Sequence, residues 1–159
     1  ILWKITIMSL EIDNSNKIKH LEFIQNIISR MATASFSIKT ANVTIIAAIS
    51  ALAFKSDYKN YINVFVYLIP SISFWYLDGY YLAQERKFRC LYDFVRKQGV
   101  TDFSLSIDKI TIKDVTSVMR SETLLLFYGV IIFSVLCMDF HSYMTKFILF
   151  FWEQIIKHI

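Results

Sequence analysis

From Ile18 to Ile38 the apolar side chains fall at Ile18, Leu21, Ile24, Ile28 and Met31, with Ser35 and Ile38 completing the row. Spacings of three and four place them on one face of an α-helix. With no Pro or Gly between, the amphipathic pattern passes into a continuous apolar run, TANVTIIAAISALAFK at 40–55. A second helix shows the same two patterns in reverse order. It begins apolar, YINVFVYLIPSISFWYLD at 61–78, and continues as a charged stretch holding Asp78, Glu85, Arg86, Arg89, Asp93 and Arg96. A third apolar run is SETLLLFYGVIIFSVLCM at 121–138. Crossing a hydrocarbon core of about 30 Å takes about 20 helical residues. All three runs are predicted to span, the first by tilting and borrowing the uncharged residues near Ile38.

Between Asn60 and Gln98 only Pro70 and Gly79 interrupt the second pattern, and Gly99 reads as its stop. At ~1.5 Å per residue that helix would be about twice as long as the hydrocarbon is thick, so half of it stands outside the membrane. The first helix behaves alike, and the short stretch SDYKN at 56–60 joins the two. The predicted fold is an all-α membrane protein with three transmembrane helices, the first two forming a long antiparallel hairpin that extends into the cytoplasm. Its divisions are an N-terminal tail (1–15), the hairpin (16–98), a cytoplasmic linker (99–120) and a third transmembrane helix with a C-terminal amphipathic helix (121–159). In the linker, TDFSLSIDKITIKD at 101–114 alternates apolar and polar residues, which predicts short extended pieces. The tail YMTKFILFFWEQIIKHI has an apolar centre of only Phe147 to Trp152, with Lys146, Glu153, Gln154 and Lys157 near one helical face. An amphipathic helix lying in the interface is expected there. The alternative is a fourth span, which moves the C-terminus to the cytoplasm.

Composition agrees: 55% of the 159 residues are hydrophobic, and there are only 3 Gly and 1 Pro, as in helical membrane proteins. Of the 17 Lys and Arg, only Lys55, Lys59, Lys146 and Lys157 fall on one side of the predicted spans. The excess on the other side places the N-terminus and residues 79–120 in the cytoplasm. Lys4 precedes a short apolar run without a small-residue cleavage site, so no cleavable signal peptide is expected. The MSLE at Met8 resembles an ordinary start, and residues 1–7 receive no function.

An antiparallel hairpin turning near Asp57 and Tyr58 sets Lys39 beside Asp78, Arg30 beside Glu85, and Glu22 beside Arg96. Three opposite-charge pairs from one register make these residues, with Arg89, the candidates for gating or for fixing the hairpin. Asp78 stands out, because an acid at the membrane edge is costly unless paired or hydrated. Thr40, Thr44, Ala47, Ala48 and Ala51 form a small-residue stripe suited to close helix approach, and Asn42 adds polarity, so these are candidates for helix packing or a pore-facing surface.

Enzyme chemistry is not expected. There is no P-loop, GxSxG, HExxH or paired CxxC, and Cys90, Cys137, His20, His141 and His158 are scattered without metal or redox spacing. Glu85 and Asp93 each have an arginine three or four residues away, which keeps them ionised and unsuited to acid/base work. Neither cofactor nor metal is expected. The basic and aromatic run RKFRCLYDFVRK suits nucleic acid less well than anionic lipid headgroups.

At KHLEFIQNIISRMATASFSIK (19–39), FWYLDGYYLAQERKFRCLYDFVR (74–96) and, more weakly, TDFSLS and LLFYGVII, the chain resembles a family of small bacterial multi-span membrane proteins. It is similar in layout to membrane accessory and effector proteins of phage-defence systems, including RNA-targeting CRISPR systems. Some of those form oligomeric pores that depolarise the cell. The Arg-x4–6-His motif of one pore-forming type is missing here, so its nuclease chemistry does not transfer. The resemblance implies a homo-oligomeric pore or leak-forming effector in the lipid bilayer. The alternative is a non-conducting anchor or scaffold that recruits a cytoplasmic protein through the protruding hairpin. A coupled transporter would need paired repeats and broken helices, which the pattern lacks.

Overall fold

The computed structural model describes residues 2–55, 64–98 and 102–157, all helical apart from short connections and without a strand among them. Among the described residues four helices follow in order: α1 (Leu2–Lys55), α2 (Val64–Lys97), α3 (Ile112–Met119) and α4 (Glu122–Lys157). The protein is all-α, as expected. With 54 residues, α1 is about 80 Å long at ~1.5 Å per residue. It begins at Leu2, so the stretch expected to be an N-terminal tail is the start of this helix. The turn expected at 56–60, the first residues of the second apolar run (61–63) and the expected stop at Gly99 lie outside the described residues.

The chain divides into two compact units, Ile1–Thr40 with Tyr76–Met119, and Ala41–Trp75 with Arg120–Ile159. In the first unit, α1 and α2 run antiparallel, since Lys17 meets Gln98 while Ser35 and Lys39 meet Asp78. Ile24, Ile28 and Val95 are buried between them, flanked by Leu21, Phe88, Leu91 and Tyr92. Ile24, Ile28 and Ile38 are buried as the spacing predicts, but Ile18 turns outward, and His20 occupies the buried position one turn before Ile24. The final turn of α2 tightens, the Gln98 amide donating to the Val95 carbonyl at 3.2 Å, and Lys17 Nζ donates to the exposed Gln98 carbonyl at 2.5 Å. A cation suits that helix end, where carbonyls lack helical partners.

Residues 102–111 form no regular element, and the apolar alternation does not become a strand. The half-buried residues are Ser104, Ile107 and Ile110, while Phe103 and Leu105 are exposed. No neighbouring strand imposes a two-residue period, and Phe103, at φ 56°, turns the chain out of the extended region. From Ile112 the expected extended piece is the short helix α3. Its start is a capping box: the Thr111 hydroxyl accepts from the Asp114 amide at 3.3 Å, and Asp114 Oδ2 accepts from the Thr111 amide at 2.8 Å. Val115 and Val118 form its buried face. Gly79 of α2 is the seat for that helix. A Cβ at Gly79 would lie 2.6 Å from Met119 Cγ and 3.5 Å from Val115 Cγ1, so a larger residue there would require the Met119 side chain to shift.

The second unit holds the rest of α1 and α2 together with α4. Where a third span and a separate C-terminal helix were expected, α4 continues unbroken for 36 residues. Nothing in Met138–Lys146 carries a helix breaker, and the apolar runs on both sides share the same helical preference. Pro70 sits inside α2 without ending it. One described stretch, Asp13–Leu52, is by itself long and apolar enough to cross a membrane, and only 17% of its most apolar window is buried. Ile112–Met119 and Glu122–Cys137 reach that measure only when taken together.

Candidate functional site

Among the described residues of the first unit, Ser35 and Asp78 are buried polar groups that meet between α1 and α2, and Asp78 is 0% exposed. Lys39 Nζ lies 2.6 Å from Asp78 Oδ2, Ser35 donates its hydroxyl to Asp78 Oδ1 at 2.5 Å, and Lys39 Nζ donates to Ser35 Oγ at 2.7 Å. Ser35 and Lys39 are one helical turn apart on α1, so both reach the same carboxylate from one face. A closed triangle of charge-assisted hydrogen bonds results, with the lysine side chain 25% exposed and the carboxylate enclosed. Such an arrangement holds two helices in register.

The other two register pairs are not made. Glu85 is buried but pairs with Arg89 on its own helix at 2.5 Å, and Arg96 pairs with Asp93 at 3.4 Å. Arg30 and Glu22 are exposed on α1 and form no ion pair with them. An i,i+3 or i,i+4 partner needs no ordering of a second helix, which explains why the local pairs win over the cross-helix ones. A cross-helix pair that the spacing did not foretell joins Lys87 of α2 to Asp114 of α3 at 2.9 Å. The same ammonium donates to the Asp108 and Lys109 carbonyls at 3.3 and 2.7 Å. Hydrogen bonding from Lys87, followed by the Thr111 amide and hydroxyl, lowers the Asp114 carboxyl to about 2.

His20 is the residue that sequence reasoning missed. Read there as one of three scattered histidines, it is 1% exposed, and its Nε2–H donates to the Ser104 carbonyl at 3.0 Å. Its ring lies 5.5 Å from that of Phe103, which also meets Phe23 at 6.5 Å. The available signal was its place one turn before Ile24 on the buried face of α1.

In the second unit Asn42 is 0% exposed. Ser71 donates to its Oδ1 at 3.4 Å, and its Nδ2 has no hydrogen-bond partner. Thr40, Thr44, Ala47, Ala48 and Ala51 occupy the opposite, exposed face of α1. The small-residue stripe is therefore not packed inside the protomer, and Asn42 does not belong to it. Tyr128 is buried, donating its hydroxyl to the Phe74 carbonyl at 3.3 Å and stacking on Trp75 at 6.0 Å. Around these polar contacts the exposed surface is apolar, including Ile45, Phe65, Ile69, Leu126, Phe133 and Phe140. Among the described residues no cluster of His, Cys, Asp or Glu could hold a metal ion. No family model, curated protein or solved structure matches this chain.

Proposed function

We propose that this chain is an integral protein of a bacterial inner membrane that self-associates and, as an oligomer, acts as a pore or leak-forming effector of phage defence. The observation that carries the membrane reading is the reversed polarity of the second unit. Its interior holds Asn42, Ser71 and the Tyr128 hydroxyl, while Phe, Leu and Ile side chains cover its outside. Water would penalise that exposed surface, whereas lipid hydrocarbon solvates it and leaves internal polar groups to pair with one another. In this reading 40–55, 61–78 and 121–138 span, the N-terminus and the charged end of the hairpin are cytoplasmic, and Trp75 with Tyr128 sits near a headgroup level.

Self-association is supported by the exposed stripe Thr40, Thr44, Ala47, Ala48 and Ala51, where another helix can approach closely. A protomer of this size cannot enclose an aqueous path, so conduction requires a ring of copies. The test is the mass of the complex in nanodiscs together with a potential-sensitive dye in cells expressing the protein. A discrete multimer with depolarisation is expected, and Ala47→Leu with Ala51→Leu reduces both while insertion and helicity persist. A monomer with intact membrane potential refutes the reading.

A non-conducting anchor is favoured by a different observation. Ile18, Phe23, Phe94, Phe103, Leu105 and Ile112 are exposed in the highly charged first unit. Apolar groups on a hydrated surface suit a protein partner. Capture of one dominant cytoplasmic protein with an unchanged potential decides for the anchor.

A further inference from the structure

In the first half of α4, Leu124, Tyr128 and Val135 are buried, but after Val135 no described side chain of this helix is. From Phe140 to Ile156 every described residue is exposed, and most are apolar. The helix has 36 residues and is about 54 Å long at ~1.5 Å per residue. Containing that length in a hydrocarbon core of ~30 Å would take a tilt of roughly 55°, beyond the ~0–40° found for membrane helices. Lying flat among the headgroups would need a sharp break after the span, and neither Gly nor Pro falls between Val130 and Lys157. Given the membrane reading above, on which this inference rests, the last turns of α4 stand outside the hydrocarbon, on the side away from the cytoplasm.

An apolar face in that position needs a cover that this protomer does not supply among its described residues. Met144, Phe147, Ile148, Phe151 and Ile155 follow at helical spacing, and the Phe147 and Phe151 rings meet at 6.0 Å. They occupy about 100° of the helix circumference, wider than the seam of a two-stranded coil and suited to a bundle of three or more helices. Copies inserted in one membrane present this face at the same height and in the same direction. A symmetric seam between them sets each residue against its own counterpart, so a charge on it would meet a like charge. The face holds none: Lys146 and Glu153 are exposed on the opposite side of the helix.

We infer that Met144, Phe147, Ile148, Phe151 and Ile155 are the seam of a parallel bundle formed by α4 of several copies of this chain. It is a second self-association contact, outside the hydrocarbon and separate from the small-residue stripe of α1. The occupant of the face is another copy, because lipid would accept apolar side chains on every side of the helix and would not require the charges to keep to one.

All five side chains are exposed in the protomer, so replacing them leaves its own packing intact. Phe150 supplies the control, being equally apolar and exposed but about 100° around the helix from Phe151, towards the charged side. In nanodiscs Phe151→Lys should reduce the multimer at least tenfold, while Phe150→Lys leaves it unchanged. A second experiment places one cysteine at Met144, Phe150 or Phe151 in the full chain carrying Cys90→Ser and Cys137→Ser, since both native thiols are exposed. On oxidation in membranes of expressing cells, Met144→Cys and Phe151→Cys should give at least tenfold more disulfide-linked dimer than Phe150→Cys.

Equal loss of multimer in the two lysine variants overturns the seam, as does a multimer whose cysteines at Met144 and Phe151 cross-link no better than that at Phe150. A monomeric wild-type protein removes the seam and the self-association reading together. Seam-specific cross-links in cells whose membrane potential is intact uphold the seam and refute the pore alone.

Discussion

Removing one partner of the Lys39–Asp78 pair should have unequal effects depending on which partner goes. Lys39→Met leaves the Asp78 carboxylate at 0% exposure, deprived of the ammonium 2.6 Å away. Breaking a buried pair in that way costs about 3–5 kcal/mol, because a charge remains where water cannot reach it. Asp78→Leu leaves the ammonium instead, and the Lys39 side chain is 25% exposed on a flexible four-carbon stem. It can turn its charge outward, so the cost falls to roughly 1–3 kcal/mol, the ordinary penalty for a lost buried partner. The double variant removes both charges from the site and should recover most of the loss, since apolar replacements of buried pairs are often neutral or stabilising. Equilibrium unfolding in mixed micelles, followed by far-ultraviolet circular dichroism, measures all three. The reasoning fails if Asp78→Leu costs as much as Lys39→Met, or if the double variant shows the sum of the two single losses.

Two further outcomes follow from particular contacts. Asn42→Val should leave stability unchanged or raise it by about 1 kcal/mol in the same assay, because an unpartnered buried amide group costs about 1–3 kcal/mol. Ser71 can then turn to a carbonyl four residues back, as Ser50, Ser73 and Ser134 already do; a marked loss of stability would show that the Asn42 amide is satisfied. The Asp114 carboxyl is lowered from 3.8 to about 2, so its contribution to α3 is fully present above about pH 4 and is lost as pH falls toward 2. Protection of the Thr111 amide, corrected for intrinsic exchange, should decline across that window in the wild-type protein and show no such step in Asp114→Asn.

The all-α character and the antiparallel hairpin were legible because each depends on local rules: helical spacing at Ile24, Ile28 and Ile38, and an absence of Gly and Pro throughout α1. The Lys39–Asp78 pair followed from the same register, and the structure has it. Arg30 with Glu85, and Glu22 with Arg96, did not form. A register fixes which residues are level with each other but not which way a long side chain turns, and Arg89 and Asp93 were nearer. The small-residue stripe was visible in the sequence, but its outward direction was not, since only the packing of Asn42 against Ser71 shows which face α2 covers. Burial of His20 and the turn at Phe103 were hidden for another reason. Both depend on residues more than eighty positions apart, so no periodicity within either segment could announce them.

The Asp78 triangle also has a place in time. Ser35 and Asp78 are 43 positions apart, and at about 5–20 residues per second the acid is made several seconds after the serine and lysine that receive it. Through that interval the rest of α1 and the first part of α2 are made, and Lys39, with its charge at the start of an apolar run, has not yet met Asp78. Arrival of Asp78 both neutralises that charge and fixes the register of the second helix against the first. Pairing in the nascent chain thus becomes the step that commits the hairpin, and a ribosome-stalled chain ending before Asp78 would hold Lys39 without its carboxylate partner.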